Sequence, residues 1–374
     1  MASQVFDGLH MLGPSAVLVA DGRVVDVVGQ DAVGGGLEIE RLAKDRLLAP
    51  GFVDLQVNGG GGVMFNDTPD VSTLQMVAEA HARMGTTTIL PTLISSDRTT
   101  RRAAIASVRA AHSLGVPGVA GIHLEGPFLA PTRLGIHPAS AITVPDPADI
   151  KDLLEPFDGA MLITLAPEVV SRADIAALVR AGRVVFAGHS DASFEQAEAG
   201  FDAGITGTTH LFNAMSQLGS RAPGVVGAAM ARGFAGIIVD LLHVHPASVR
   251  LAYRCMGADR LFLVSDAMAT AGSDCVSFAV SGNAIMLVDG RLVDAKGTLA
   301  GAHLSMAEAV RRSVDGVGIS LADALRMATA TPAAAAGLGD RGRIIAGALA
   351  DFVEIGPTSA AVLKVWRNGV VSGD

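Results

Sequence analysis

Ionisable side chains follow several short apolar runs of this sequence, at positions where a strand of buried residues would end. Glu125 closes one such run, His189 a second and His210 a third. Two imidazoles and one carboxylate from three separate strands form a suitable ligand set for a divalent metal ion that keeps one position open for water. Small residues stand beside these side chains and leave space for an ion, namely Gly126, Gly188 and Thr209. We therefore predict a metal site at Glu125, His189 and His210.

A histidine after a strand is more often structural than metal-binding when it is considered alone, because a backbone carbonyl can satisfy its ring. Four of the ten histidines nevertheless lie near the ends of apolar runs: His123, His189, His210 and His243. Their shared placement favours a common pocket over four independent structural roles.

Asp266 stands at the end of the last apolar run. A carboxylate near a metal-bound water can accept the proton of that water and pass it to a leaving group. We therefore predict that Asp266 is a general acid and base. The alternative is that Asp266 caps the helix that follows.

Arg221 is one of few cations near these polar residues in an acidic chain. A guanidinium binds two phosphate oxygens at once, so Arg221 could hold an anionic group of a ligand. The alternative is a solvated loop charge.

A run of four glycines, Gly59 to Gly62, follows the first apolar run. It does not match the G-x-G-x-x-G fingerprint of dinucleotide-binding proteins with a helix start in the right register. The run predicts a mobile or tightly turning loop beside the pocket.

The elements that must position these residues alternate regularly along the chain. Eight nearly continuous apolar runs are typical of parallel strands buried on both faces; they cover residues 51–59, 86–94, 119–127, 161–168, 183–190, 206–214, 235–244 and 260–267. Segments with helical periodicity lie between most of them, at 70–85, 97–115, 167–182, 193–204 and 245–260. This alternation predicts a (β/α)8 barrel, whose active site lies at the carboxyl ends of the strands. A doubly wound open sheet is the alternative.

The two ends of the chain contain short strand-like pieces and no complete strand–helix unit. We predict that residues 1–48 and 336–374 pair into one small β-sandwich domain, and that residues 49–335 form the barrel. A hairpin-like insertion is predicted at 277–301, after the eighth strand.

Composition excludes several classes of protein. Half of the 374 residues are hydrophobic and 17% are charged, which excludes a disordered chain or a coiled coil. A net charge of −9 without a basic cluster argues against nucleic-acid binding. Two cysteines cannot form a disulfide framework. We expect no membrane span, no secretory signal and a cytoplasmic location.

Several motifs together resemble the N-acetylglucosamine-6-phosphate deacetylases of the amidohydrolase superfamily. The resemblance covers the chain from about residue 15 to its end, and the motifs that carry it are LAPGFVDLQVNGGGGVMFND (48–67), GIHLEGPFL (121–129), GHSDASFEQA (188–197), THLFNAM (209–215), GIIVDLLHV (236–244), LVSDAMATAG (263–272) and GTLAGAHLSM (297–306). HLEGPF, GHS, THLFNAM and SDA are specific in combination, although each fragment alone is not.

The resemblance implies a metal-dependent hydrolase that converts N-acetyl-D-glucosamine 6-phosphate to D-glucosamine 6-phosphate and acetate. It implies the same ligands, Glu125, His189 and His210, and Asp266 as the catalytic acid and base. It also implies a homodimer and a phosphate on the sugar that Arg221 and a histidine would hold. The implied substrate contacts are Ile136, His137, Asn213, Ala214, Arg221, Asp240, Leu241, Leu242, His243, Leu299, Ala300 and Gly301.

Two positions depart from related sequences. Much of the superfamily has His-x-His at the end of the first strand, where this chain has Gln56 and Asn58. Amides are poor zinc ligands, so we expect one divalent ion per subunit, zinc first, with iron, manganese or cobalt also compatible with the ligands. Leu134 replaces a basic residue that some relatives have before Gly135, while His137 is kept.

Two other functions stay open at this point. One is an amidohydrolase that acts on a cyclic amide or an N-acyl amino acid. The other is a catalytically silent relative that binds amino-sugar phosphates as a sensor.

Overall fold

A computed structural model describes residues 1–356 and 360–372 of the chain. Its centre is an eight-stranded parallel barrel surrounded by helices, and a small β-sandwich built from both ends of the chain lies beside it. Both parts confirm the predicted fold class. The predicted C-terminal segment of the sandwich, 336–374, includes 357–359 and 373–374, which lie outside the described residues.

The strands and helices have the following bounds. The strands are β1 (Gln4–Phe6), β2 (Met11–Leu12), β3 (Ser15–Ala20), β4 (Arg23–Gly29), β5 (Leu47–Pro50), β6 (Phe52–Val57), β7 (Gly59–Gly60), β8 (Val63–Met64), β9 (Thr86–Ile94), β10 (Gly121–Glu125), β11 (Ala160–Leu165), β12 (Val184–Ala187), β13 (Gly207–Thr208), β14 (Phe234–Ile238), β15 (Leu261–Val264), β16 (Ser277–Val280), β17 (Asn283–Val288), β18 (Arg291–Val293), β19 (Phe352–Ile355), β20 (Val362–Arg367) and β21 (Val370–Val371). The α-helices are α1 (Val71–Arg83), α2 (Arg98–Ser113), α3 (Pro147–Leu154), α4 (Arg172–Arg180), α5 (Phe194–Asp202), α6 (Gly224–Arg232), α7 (Pro246–Met256), α8 (Met306–Arg312), α9 (Leu321–Ala328) and α10 (Ala330–Ala335). Short 3-10 turns occupy Gln30–Ala32 and Ala139–Ala141, and a π-helical turn follows α8 at Ser313–Val317.

The barrel strands neighbour one another in chain order, β6-β9-β10-β11-β12-β13-β14-β15. A parallel bridge between Val57 and Ala267 joins the last strand to the first, and the Asn58 N–H donates to the Ala267 carbonyl at 2.9 Å. The predicted run 206–214 shortens to the two residues of β13, because the backbone turns into the left-handed region at His210 and Phe212. Each of the eight predicted runs overlaps one barrel strand, although β11 and β14 begin one residue before the predicted run.

Short polar side chains fix where the helices begin. The Asp70 side chain accepts the Thr73 N–H at the start of α1, and Ser193 forms a capping box with Gln196 at the start of α5. The five predicted helical segments contain α1, α2, α4, α5 and α7. Helices α3, α6, α8, α9 and α10 were not predicted.

The β-sandwich consists of a mixed sheet, β2-β1-β5-β19-β20-β21, and the hairpin β3-β4. Its separate apolar core contains Val5, Val24, Leu48, Phe352 and Trp366. Strand β5 extends to Pro50, so the first crossing into the barrel lies near the predicted boundary. The boundaries themselves, at 48/49 and 335/336, stay a prediction.

The insertion at 277–301 is a three-stranded antiparallel sheet, β16-β17-β18, where the sequence predicted a hairpin. Its third strand, β18, pairs with β17 along residues 291–293. One face of this sheet packs Val280, Ile285 and Leu292 against Met64 and Met268 beside the strand ends. The insertion therefore covers one side of the barrel mouth.

The four-glycine run forms a tight turn, one of the two conformations predicted for it. Gly59 and Gly60 pair with β8, while Gly61 and Gly62 take positive φ values of 63° and 88° between the strands. Within the part of the chain that the structure describes, no helix is long and apolar enough to cross a membrane.

Candidate functional site

The carboxyl ends of the barrel strands surround one cavity of about 260 Å³. Its lining combines the predicted metal and acid residues with apolar and amide side chains: Asn58, Ile94, Glu125, Gly135, Ile136, His137, His189, His210, Asn213, Ala214, Ile238, His243, Asp266, Thr298, Leu299 and Gly301. A larger surface groove of about 510 Å³ beside α3 has no histidine or cysteine in its lining. The chemistry predicted from the sequence therefore lies in the cavity at the barrel mouth.

Glu125, His189 and His210 converge in this cavity, with one ligand atom from each within 4.8 Å of the others. Glu125 Oε1 lies 3.2 Å from His189 Nε2 and 2.9 Å from His210 Nε2, and the two nitrogens are 3.0 Å apart. Bonds of about 2.1 Å at tetrahedral angles would separate ligand atoms by about 3.4 Å. The structure thus brings together three side chains that are distant in sequence, since His189 and His210 follow Glu125 by 64 and 85 residues.

The charge state of this group suits metal binding. Burial alone raises the pKa of Glu125, but hydrogen bonds from His189 and His210 outweigh it and hold the pKa well below its usual range. Burial lowers the pKa of His210, yet the hydrogen bond and charge of Glu125 raise it overall. No Lys or Arg among the described residues pairs with the buried Glu125 carboxylate. An ionised carboxylate with only imidazole and amide partners fits a divalent cation.

A backbone carbonyl orients the His189 ring for metal binding. His189 Nδ1 lies 2.7 Å from the Arg133 carbonyl oxygen, which can only accept, so Nδ1 carries a proton. An ion bound here would take the Nε2 lone pair in place of the hydrogen bond from Nε2 to Glu125 Oε1.

Asp266 lies in the same cavity and is held by an amide. Its Oδ1 accepts a hydrogen bond from Asn58 Nδ2 at 2.7 Å. Burial and the charge of Glu125 raise the pKa of Asp266 to about 6, against the opposing effects of His210, His243 and Asn58. A carboxyl group with a pKa near neutrality can both accept and return a proton.

Left-handed backbone conformations concentrate at this end of the barrel. A positive φ at a residue with a side chain costs on the order of 1–3 kcal/mol and persists only where the surrounding structure imposes it. The strand-end residues with this conformation are His189, His210, Phe212, Ala214, Leu241 and Asp266. Two proposed ligands and the proposed acid are thus held in strained turns that aim them into the cavity.

Two other strand-end histidines have different surroundings. His123 is fully buried, and its Nε2 lies 2.7 Å from Thr164 Oγ1 inside the barrel. Burial lowers the pKa of His123 to about 4. His123 therefore takes the structural role that a single strand-end histidine usually has.

His243 lines the cavity and is oriented by Asp240. Asp240 Oδ2 lies 2.6 Å from His243 Nδ1, and Asp240 Oδ1 accepts the backbone N–H groups of Leu242 and His243 at 2.8 Å. Burial acts to raise the pKa of Asp240, but these hydrogen bonds and His243 lower it overall. Because Asp240 contacts His243 Nδ1, the other ring nitrogen, Nε2, is not engaged by this carboxylate.

The predicted substrate contacts divide into two groups. Those that line the cavity are Ile136, His137, Asn213, Ala214, His243, Leu299 and Gly301. Those that do not are Arg221, Asp240, Leu241, Leu242 and Ala300. Arg221 is exposed on the loop between β13 and α6 and has no hydrogen bond or ion pair within the described residues. The roles of all twelve residues toward a substrate stay predictions.

Sequence reasoning missed several cavity residues. Ile94 lines the cavity at the end of β9 and was available by the same strand-end rule, because 86–94 was predicted as a strand; Ser95, which follows it, does not line the cavity but contacts His137, which does. Ser95 Oγ lies 2.7 Å from His137 Nδ1. Gly135 and Thr298 lie outside the predicted barrel strands, and Ile238 lies inside the predicted run 235–244 rather than at its end, so the strand-end rule did not mark them.

Comparisons with known proteins agree with this geometry. Residues 47–373 match the model of the amidohydrolase family. An N-acetylgalactosamine-6-phosphate deacetylase of Shewanella sp. (strain ANA-3) is 42% identical over 331 residues, covering 88% of this chain and 84% of the relative. An N-acetylglucosamine-6-phosphate deacetylase of Haemophilus influenzae is 37% identical over 375 residues, covering 97% of each chain. The crystal structure of N-acetylglucosamine-6-phosphate deacetylase from Pasteurella multocida superposes with a TM-score of 0.95 at 34% identity, covering 100% of this chain and 98% of that one.

Proposed function

Because the chain belongs to the amidohydrolase family, we propose that it hydrolyses the acetamide of N-acetyl-D-glucosamine 6-phosphate to D-glucosamine 6-phosphate and acetate. The observation that carries this proposal is the convergence of Glu125, His189 and His210 in one cavity with Asp266. Relatives with that named activity match nearly the whole chain, which supports the substrate.

Glu125, His189 and His210 would hold a divalent ion, which when bound supplies a Lewis acid and a water of lowered pKa. Asp266 accepts a proton in its ionised form and returns it to the amine nitrogen as the C–N bond breaks. Without that proton the leaving group would be an amide anion, which is too basic to expel. The hydrogen bond from Asn58 keeps the Asp266 carboxylate fixed during both transfers.

His137 is arranged as a hydrogen-bond donor. The Ser95 backbone N–H donates to His137 Nδ1 at 3.2 Å, so the proton of the neutral ring is on Nε2. Burial lowers the pKa of His137 to about 3, which keeps the ring neutral. The His137 Nε2 atom lies 3.8 Å from Glu125 Oε2, beyond hydrogen-bond distance, so its N–H is available to the carbonyl oxygen on which negative charge develops.

Recognition of the phosphate is assigned to Arg221 together with a histidine. Arg221 is exposed on the loop that follows β13 and has no hydrogen bond or ion pair within the described residues, which leaves its guanidinium available to a phosphate. Remote binding energy of this kind orients the acetamide at the reacting centre.

A second candidate substrate is N-acetyl-D-galactosamine 6-phosphate, favoured by the 42% identity to a relative named for that deacetylase. The two sugars differ only in the configuration at one ring hydroxyl group. The metal ligands and Asp266 would perform the same chemistry on either.

One assay tests both candidates and the alternatives left open by the sequence. Acetate release is measured from each sugar phosphate, with and without prior chelation and with zinc added back. We expect chelator-sensitive acetate release from N-acetyl-D-glucosamine 6-phosphate, with a higher kcat/KM than for the galactosamine derivative. Higher kcat/KM for the galactosamine derivative would reassign the substrate. Binding without release would favour the sensor, and release only from cyclic amides or N-acyl amino acids would favour another amidohydrolase.

Three finer assignments complete the proposal. Zinc is proposed as the ion because two imidazoles and one carboxylate match a catalytic zinc site. A homodimer is proposed from the family resemblance, and size-exclusion chromatography with light scattering tests it. A cytoplasmic location is proposed because a phosphorylated sugar is a dianion that membranes retain.

A further inference from the structure

Gln56 has contacts that the proposed reaction does not use. It lies at the end of β6, next to the metal ligands, and its side chain is buried. Sequence reasoning treated Gln56 only as a poor zinc ligand. Its hydrogen bonds indicate a different role, as a partner of the ligands themselves.

The orientation of the Gln56 amide follows from its neighbour. The Glu125 carboxylate is ionised and can only accept hydrogen bonds, so the Gln56 atom 3.2 Å from Glu125 Oε1 must be Nε2. The amide oxygen Oε1 then faces the other way. This oxygen is fully buried and has no hydrogen-bond partner among the described residues. An unpaired buried carbonyl of this kind is destabilising, so a hydrogen-bond donor is expected beside it.

A second unpaired atom belongs to His210. Its Nε2 faces Glu125, and its buried Nδ1 has no partner in the described chain. A histidine that binds an ion through Nε2 has its ring proton on Nδ1, and such a proton nearly always meets a carboxylate, a carbonyl or a water. His210 therefore needs an acceptor on the side away from Glu125.

Gln56 and His210 both line a small cavity inside the barrel, beneath the metal ligands. The cavity measures about 10 Å³, and Thr209 and His123 add polar groups to its otherwise apolar wall. That is about the size that one water molecule requires, and a water needs two to four polar partners to be held there. The two unpaired atoms supply one donor and one acceptor.

We propose that Gln56 positions both Glu125 and His210 in the metal site. Its Nε2–H donates directly to Glu125 Oε1, and its Oε1 accepts from a water that in turn accepts the His210 Nδ1–H. One rigid amide thus fixes the direction of two of the three ligands. This inference rests on the metal site of the proposed function.

The test compares zinc affinity of the wild-type protein with that of Gln56→Met, which keeps the length and removes both hydrogen bonds. Gln75→Met, at an exposed position of α1, is the matched control. Zinc dissociation constants come from chelator competition, and the visible spectrum of the cobalt-loaded protein reports ligand geometry. We expect about 10- to 100-fold weaker zinc binding for Gln56→Met, a shifted cobalt spectrum and no change for Gln75→Met.

A crystal structure of the zinc-loaded wild-type protein tests the same role without a variant. It should show a water within hydrogen-bond distance of both Gln56 Oε1 and His210 Nδ1. Unchanged zinc affinity and cobalt spectrum in Gln56→Met, or a wild-type cavity without that water, would overturn the role of Gln56 alone. A wild-type protein that binds no divalent ion would instead overturn the metal site of the proposed function.

Discussion

Replacing Asp266 by asparagine removes the proton-transfer group of the cavity and leaves its surroundings almost unchanged. The Asp266 Oδ1 accepts from Asn58 Nδ2 at 2.7 Å, and an amide oxygen can accept the same hydrogen bond. The backbone φ at this residue is +50°, a conformation that asparagine tolerates better than most residues. Asp266→Asn therefore tests chemistry, whereas an alanine would also disturb the backbone.

The expected loss follows from the role of Asp266 as both base and acid. A single positioned acid or base contributes about 10²–10⁴-fold to the rate. That loss corresponds to about 2.7–5.4 kcal/mol of transition-state stabilisation, at 1.36 kcal/mol for each factor of ten. Metal binding should be unaffected, because Glu125, His189 and His210 are unaltered.

The assay is steady-state acetate release from the sugar phosphate, together with zinc content and a melting curve for each protein. Asp289→Asn is the matched control, since Asp289 is exposed in the insertion and has the same φ of +50°. It should behave as wild type in every measurement. If Asp266→Asn retains a kcat within about tenfold of wild type at full zinc content, the proton-transfer role is refuted.

Three other perturbations address separate parts of the site. Arg221→Met should mainly raise KM for the phosphorylated sugar and leave slow hydrolysis of the unphosphorylated sugar unchanged; an equal loss on both substrates would argue against phosphate recognition. His123→Leu should lower the free energy of unfolding by about 1–3 kcal/mol, because it removes two buried hydrogen bonds, those of His123 with the Thr92 and Thr164 hydroxyls, while zinc content stays stoichiometric; loss of zinc would show that His123 is more than structural. Because the pKa of Asp266 is raised to about 6, the ionised base is lost as the pH falls through that value, so log kcat/KM should decline below about pH 6. A bound cation can only move this limb lower, and a limb above pH 7 in the pH profile would contradict the assignment.

Strand β9, the last three helices and the insertion show where periodicity in the sequence predicted the structure and where it did not. Strand β9 was predicted to the residue, because its nine residues form one buried run. The helices α8, α9 and α10 were missed between 306 and 335, because they follow the last of the eight apolar runs, where no further strand marks the alternation. The third strand of the insertion was missed because strand pairing depends on partners that a local pattern does not specify.

The division of roles among the strand-end histidines needed the tertiary structure. His123 and His189 look alike in sequence, since each lies near the end of an apolar run. The alternation of side chains along a strand directs His123 into the barrel core, where Thr164 satisfies it. A left-handed turn at His189 instead directs that ring toward Glu125.

Burial patterns and strand-end residues are local properties of the chain, so the barrel, the terminal sandwich and the set of side chains at the strand ends could be predicted from the amino-acid sequence. Which of those side chains share one cavity, and which atoms remain unpaired within it, follows from the folded structure. The distances between Glu125, His189 and His210, and the two-sided contacts of Gln56, arise from closure of the barrel. Closure brings together residues far apart in the chain, and no local pattern encodes those distances.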